Sequence, residues 1–277
     1  MIWARWLPNL QMLKLVQTED GSNTIYNDEV GENYHSTHGA LQESKHVFVN
    51  SGLQYFLDKS PTQPSPVGRA LKEPLGKIKV SPTGRDYSHN YLFSEGVHEN
   101  SLEGATVSIL EVGFGTGLNF LLSADLCTDK KIHLDYTGIE AYPLSPEMIA
   151  QTGYDQYVSS ELWQQFIDNY TELLLSPVAL NPRCKLQIAN SKLENFQSEQ
   201  QYDIIYYDAF ASARQPEMWD VAAINHTIQF LKPGGVFVTY AITGNLKRAL
   251  KALGCKVEKA PGALGKREML RAIVPQI

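Results

Sequence analysis

The chain has 277 residues, 43% hydrophobic and 19% charged, which is enough apolar content for one large domain with an accessory segment. No run reaches the ~18 consecutive apolar residues of a membrane span. Cys127, Cys184 and Cys255 lie far apart without CxxC spacing, which argues against a disulfide framework or a zinc site and fits a reducing, cytoplasmic setting.

The opening MIWARWLPNLQ lacks a continuous apolar stretch and a small-residue cleavage site, so it reads as an extension rather than a signal peptide, with Met12 an alternative start. LKLVQTEDGSNTIYN predicts two short strands turning at Asp20-Gly21. HGALQESKHVFVNSGL predicts a helix or turn leading into an apolar strand. SPTQPSPV, residues 60 to 67, is a breaker cluster, and the polar EGVHENSLEGA precedes the next apolar run. Residues 1–100 are therefore expected to form a strand-rich N-terminal extension or cap, and 101–277 the main domain.

From residue 106 strand and helix alternate. TVSILEV reads as a buried strand and TGLNFLLSADL as a helix, with Thr116 a candidate N-cap. HLDYTGIEAY is the next strand, and SPEMIA a helix capped by Ser145 with Pro146 at its first position. ELWQQFIDNYTELLL is an amphipathic helix. KLQIAN, YDIIYYDAF and GVFVTYA are further strands, and NLKRALKAL is a basic helix. CKVEKA and REMLRAIV then flank PGALGK as a closing hairpin. Repeated strand–helix units imply a parallel sheet, and the hairpin adds a reversed strand. The expected fold class is a doubly wound, Rossmann-like α/β sheet.

LEVGFGTGLNF, at the first strand-to-helix turn, carries Glu111, Gly113, Gly115 and Gly117. A dinucleotide fingerprint needs glycine where Leu118 stands, and no P-loop lysine follows. Glu140, ending the next strand, is placed to accept hydrogen bonds from both hydroxyls of a ribose. A nucleoside without a pyrophosphate fits, and S-adenosylmethionine is such a ligand, with Glu111 near its ammonium directly or through water. Asp208 ends a later strand at the sheet's carboxyl edge, where ligands bind in open α/β folds. Phe210 faces the same region, Arg214 follows in the loop above, and Trp219 reads as core.

The charge of −6 does not suggest a nucleic-acid binder, but it is unevenly spread. Residues 245 to 272 hold eight basic side chains against Glu258 and Glu268, a net of +6 that leaves −12 elsewhere. One basic end can meet an anionic partner. His35 and His38 are spaced i, i+3, but no third ligand has suitable spacing, so no metal is expected.

DGSNTIYNDEVGENYHSTHGALQESKHVFV, LEVGFGTGLN, YYDAFASARQPEMW and TGNLKRALKALGCKVEKAPGALGKREML together resemble the stand-alone methyltransferases of the MnmC/MnmD family, over roughly residues 14 to 273. The resemblance implies a class I S-adenosylmethionine-dependent methyltransferase acting on the anticodon loop of tRNA. It would convert 5-aminomethyl-(2-thio)uridine at wobble position 34 to the 5-methylaminomethyl form. For that reaction Asp208 is expected to accept a hydrogen bond from the substrate amine, or else to be a structural strand-end acid. Phe210 is expected to stack on the wobble base, or else to pack in its loop. Tyr34 and Glu43, beside His35 and Ser36, go to the substrate side, although ordinary hydrogen-bonded roles in the cap fit them equally. Lys266 and Arg267, with Lys247, Arg248 and Lys251, are candidates for phosphates. The adenine position, usually acidic, is Asn190-Ser191 here. No FAD domain follows residue 277, so the oxidative step of the bifunctional MnmC is expected from a separate oxidoreductase, or is unnecessary. Two other readings stay open: a polyamine synthase-like aminopropyltransferase, and a non-catalytic tRNA-binding module.

Overall fold

The burial of every residue after Thr106 in β4 (Thr106–Val112) shows that the sheet is covered on both faces. Successive side chains of a strand point to opposite faces. Val107 and Ile109 enter one apolar core, while Leu110 and Val112 enter another. The structure, a computed structural model, describes residues 12–59 and 102–276; the expected extension at 1–11 and the breaker cluster at 60–67 lie outside the described residues.

The central sheet has the order β10-β11-β9-β8-β4-β5-β7-β6. β4 pairs in parallel with β5 (His133–Glu140) and β8 (Tyr202–Tyr207), β5 with β7 (Cys184–Asn190), and β8 with β9 (Leu231–Thr239). α3 (Leu118–Asp129) and α5 (Ser160–Leu173) cover one face through Phe120, Leu121, Leu162 and Phe166. α6 (Val221–Ile228) and α7 (Gly244–Ala252) cover the other through Ile224, Leu246 and Leu250. α4 (Pro146–Ala150) starts as expected, with Ser145 accepting from the Met148 amide and Pro146 in the first turn.

The hairpin β10 (Lys256–Pro261) and β11 (Glu268–Ile273) closes the sheet, β11 lying antiparallel to both β9 and β10. A second reversed strand, β6 (Val178–Asn181), pairs with β7 at the opposite edge. The sequence reading missed it because four residues between prolines look like a loop, and an edge is where a sheet tolerates so short a strand.

β1 (Leu13–Gln17) and β2 (Asn23–Asn27) form the expected hairpin, extended by β3 (Glu32–Asn33). The apolar strand expected near KHVFVN is instead helical. α1 (Ala40–Glu43) runs into a π-helical stretch (Ser44–Gln54) and then α2 (Tyr55–Lys59). Val47, Gly52 and Leu57 recur every five residues, as do Phe48 and Leu53, and all five are buried. The i→i+5 winding suits that spacing. Packing overrides the β-branched composition: Phe48 stacks at 5.2 Å on Tyr206, and a Cβ on Gly52 would lie 2.9 Å from the same ring.

The helix is thus part of the main core. Phe48→Ala is expected to cost ~3–5 kcal/mol in urea unfolding, the usual scale for a buried aromatic. A loss below ~1 kcal/mol would show that the helix is only an attached surface segment.

Candidate active site

Five parallel strands, β4, β5, β7, β8 and β9, end at one edge of the sheet, and each is followed there by a group on one cavity. After β4 the chain turns through Gly113, Gly115 and Gly117, with φ of 88°, 53° and 78°. A Cβ at Gly113 would sit 2.5 Å from the Asp208 carbonyl oxygen, and one at Gly115 would sit 2.8 Å from the Tyr34 ring. Only glycine allows both the left-handed backbone and this close approach. Gly117 rather than Thr116 precedes α3 as its N-cap, without a side-chain cap, because the turn needs positive φ at that point.

Beside this turn lies a cavity of about 1210 Å³. It exceeds the ~300–1,000 Å³ usual for small-molecule sites. Gly113, Gly115, Glu140, Ser191, Asp208, Phe210, Tyr34, Glu43 and Lys266 all line it. Glu111, Gly117, Asn190, Arg214 and Arg267 are not on its wall.

Glu140 closes β5. Its Oε2 accepts from the Gly115 amide at 2.9 Å and its Oε1 from the Tyr142 amide at 3.0 Å. Each oxygen keeps a lone pair for a further donor. Burial raises its pKa and these amides pull it back.

Glu111, expected near the cofactor's ammonium directly or through water, stands behind the cavity wall. It is fully buried, on the same face of β4 as Val107 and Ile109, and makes no direct contact with the cavity. Tyr136 donates its hydroxyl to Glu111 Oε2 at 2.8 Å, and Asn119 Nδ2 donates to Oε1 at 2.7 Å. Burial, then the nearby Asp208 carboxyl, push Glu111 well above the usual carboxylate range.

The same Asn119 Nδ2 donates to Asp208 Oδ2 at 2.8 Å, at the exit of β8. Burial, and next the charge of Glu43, raise the Asp208 pKa to about 8, while Asn119 and Lys266 pull it down. Lys266 does not share an outward surface with Arg267. Its Nζ turns in to Glu43 Oε1 at 2.5 Å and lies 4.0 Å from the Tyr240 ring centroid, whereas Arg267 is exposed.

Around these groups, Phe210 meets Tyr34 edge-on at 5.0 Å. Trp219 is buried, as expected, and donates to the Phe210 carbonyl at 2.7 Å; Tyr240 donates to the Ala209 carbonyl at 2.8 Å. Glu32 accepts from the Ala211 amide at 2.9 Å, tying β3 to the loop after β8. Arg214 is exposed, with its guanidinium against Gly31. His35 lines the cavity, and burial lowers its pKa to about 4, so it is neutral. Among the described residues no group of three or more His, Cys, Asp or Glu is arranged to hold a metal ion. Lys247, Arg248, Lys251 and Lys259 line a second, shallower groove of about 450 Å³ beside α7.

Sequence reasoning missed Asn119, Tyr136 and Tyr240. The available signal was a polar side chain in the otherwise apolar first turn LNFLL, and tyrosines inside or just beyond buried strands. None announces a partner until the strands are in register.

Residues 157–275 match a family described as S-adenosyl-L-methionine-dependent methyltransferase. The bifunctional tRNA 5-methylaminomethyl-2-thiouridine biosynthesis protein MnmC of Acinetobacter baylyi is 27% identical over 272 residues, 94% of this chain and 37% of that protein. The protein of the same name from Marinomonas sp. is 32% identical over 179 residues, 61% of this chain and 26% of that protein. The crystal structure of MnmC2 from Aquifex aeolicus superposes with a TM-score of 0.62 at 19% identity, covering 98% of this chain and 75% of that one. The chain is thus similar over most of its length to MnmC proteins, and its C-terminal part matches a methyltransferase family. Its α/β fold is the Rossmann-like one expected, with one more reversed strand. The chain spans roughly a third of the length of the MnmC proteins it matches.

The raised Asp208 pKa has a consequence for stability. Between the ordinary carboxylate value of 3.8 and about 8, the folded protein binds the proton that the unfolded chain releases. Stability therefore falls as pH rises through that window. Asp208→Asn is expected to stabilise the cofactor-free protein by on the order of 2 kcal/mol at pH 9, the scale of an uncompensated buried group, and to change little at pH 4. Urea unfolding at both pH values checks this; an equal change at both would refute it.

Proposed function

We propose that this chain is an S-adenosylmethionine-dependent tRNA methyltransferase. In this reading it methylates the primary amine of 5-aminomethyl-(2-thio)uridine at wobble position 34 and forms the 5-methylaminomethyl nucleoside. The observation that carries the reading is Asp208: a desolvated carboxyl group, raised to about 8, on a cavity beside the glycine turn and Glu140. The printed names of the MnmC relatives supply the tRNA nucleoside.

The residues present fit the cofactor. Glu140 has free lone pairs for ribose hydroxyls, Gly113 and Gly115 leave bare backbone at the turn, and Ser191 lines the wall beyond Glu140. Asn190 does not reach that wall. When bound, S-adenosylmethionine supplies an electrophilic methyl group.

The chain's own task is to present a neutral nitrogen. An ammonium has no lone pair, so a proton must leave before the nitrogen can attack. The cavity first attracts the cation: Glu29, Glu32, Glu43, Glu140 and Glu217 face it against Lys192 and Lys266. Burial raises the pKa of Asp208 and lowers that of an amine beside it, so the proton passes from nitrogen to carboxylate at little cost. The neutral amine then turns one of its remaining N–H groups to a carboxyl oxygen of Asp208, which accepts it and leaves the nitrogen lone pair free and aimed at the methyl group. Such orientation is worth up to ~7–11 kcal/mol in the best cases. Phe210 and Tyr34 offer aromatic surface to an unpaired base, and Lys247, Arg248 and Lys251 offer charge to phosphates.

The acidic lining also suits a polycation, which favours aminopropyl transfer as the second reading. Incubation with labelled S-adenosylmethionine and tRNA, followed by mass spectrometry of the wobble nucleosides, is expected to show label on the 5-aminomethyl nitrogen. Aminopropylation of putrescine from decarboxylated S-adenosylmethionine, with no label on tRNA, would replace the reading.

Asp208→Ala is expected to lower turnover by at least ~100-fold, the scale of a lost general base, and to leave the cofactor dissociation constant within a few-fold. Wild-type turnover would remove Asp208 from the chemistry. Lys247→Ala with Lys251→Ala is expected to reduce the slope of log affinity for tRNA against log salt by ~1–2. An unaltered slope would show that the α7 groove does not meet RNA.

A further inference from the structure

Among the described residues, Asn119 alone gives side-chain hydrogen bonds to both Glu111, which is fully buried, and Asp208, which is partly buried. Its Nδ2 has two protons, and each has an acceptor: Glu111 Oε1 at 2.7 Å and Asp208 Oδ2 at 2.8 Å. Asn119 is 2% exposed, and its Oδ1 is buried without a partner. Glu111 cannot drift, because Tyr136 donates to its other oxygen at 2.8 Å and the Tyr136 ring packs against Phe120 at 5.1 Å. The chain of contacts from Tyr136 through Glu111 and Asn119 to Asp208 forms a strut between the sheet core and the cavity.

We propose that Asn119 is a positioning residue: its amide, anchored on Glu111, holds the cavity-facing carboxyl of Asp208 in one orientation and favours the ionised form that accepts the substrate proton. The inference rests on the assignment of Asp208 to a substrate amine.

The other groups facing Asp208 do not duplicate this role. Glu43, from the N-terminal helix, opposes its ionisation and Lys266, from the closing hairpin, favours it, but these two are engaged with each other at 2.5 Å. Tyr240, beyond β9, spends its hydroxyl on the Ala209 carbonyl, and Tyr136, on β5, spends its own on Glu111. Only Asn119 gives Asp208 a side-chain hydrogen bond among the described residues. A hydrogen bond to the charged form of an acid lowers its pKa, and its loss raises it.

Two variants test the proposal. Asn119→Ala removes the amide but strands Glu111. The triple replacement Glu111→Met, Asn119→Leu and Tyr136→Phe removes all three polar groups together, so none is left buried without a partner. The first readout needs no substrate: the Asp208 carboxyl band, isolated by infrared difference against Asp208→Asn in cofactor-free protein, is followed with pH. Its midpoint is expected near pH 8 in the wild type and about one pH unit higher in both variants, a tenfold change in the proton equilibrium. The second is the single-turnover methylation rate at saturating cofactor. It is expected to fall about sixfold more at pH 7.5 than at pH 9.5.

An unmoved midpoint, or a loss of rate equal at both pH values, would overturn the proposal. Failure of the wild type to methylate tRNA would overturn the assigned reaction instead, and the infrared titration would still judge the strut.

Discussion

Keeping a carboxyl group partly withdrawn from water at the wall of a cavity is the constraint on which the rest of this structure depends. Asp208 stands at the exit of β8 with a pKa near 8, beside a second acid, Glu111, that is wholly enclosed. Two such groups cost stability wherever they are placed. The pairing of β4 with β8 brings Glu111 beside the end of β8, which Asp208 follows, and α3 supplies an amide that meets both carboxyl groups. The glycine turn serves the same end: Gly113 lets the β4 exit lie against the Asp208 backbone, so strand and acid are fixed together.

Around that centre, the two sides of the cavity have different characters. Glu140, Ser191 and the glycine turn form a side built from backbone amides and one carboxylate, suited to a hydroxyl-bearing, uncharged sugar. Asp208, Glu43, Lys266, Tyr240 and Phe210 form a side with dense charge and aromatic surface, suited to a small cation on a flat ring. Tyr34 stands between them, touching Gly115 on one side and Phe210 on the other. The division follows from the topology, since β5 and β7 lie on one flank of β4 and β8 and β9 on the other.

Much of this was legible in the chain because periodicity and punctuation agree with the fold. The glycine turn, the acid at the end of β5, the acid at the end of β8, the proline-started α4 and the closing hairpin all follow from local patterns of one element each. The departures share a different physics. The KHVFVN segment became helix because its five-residue spacing mates with Tyr206 and Val238, a fact that only the assembled sheet supplies. Glu111 looked like a ligand-facing acid because sequence shows the residue but not which face of β4 it takes. Lys266 and Arg267, adjacent and alike in charge, separate because one meets Glu43 and a tyrosine ring while the other meets solvent. Partnerships between distant segments are what a single sequence leaves unwritten.

One such partnership bears on how the molecule is made. Beside the cavity, residues 42 to 46 meet residues 261 to 266: Glu43, on the cavity wall, pairs with Lys266, and outside it the Leu264 amide donates to Gln42 Oε1 and His46 contacts the Pro261 carbonyl. These contacts bridge more than two hundred positions of chain. Contacts of such separation form late and slowly. During synthesis the early helix must therefore wait, its acid unpaired, until almost the whole sheet has emerged. A ribosome-bound intermediate would have the glycine turn and Glu140 in place while the amine-receiving half was still open to water.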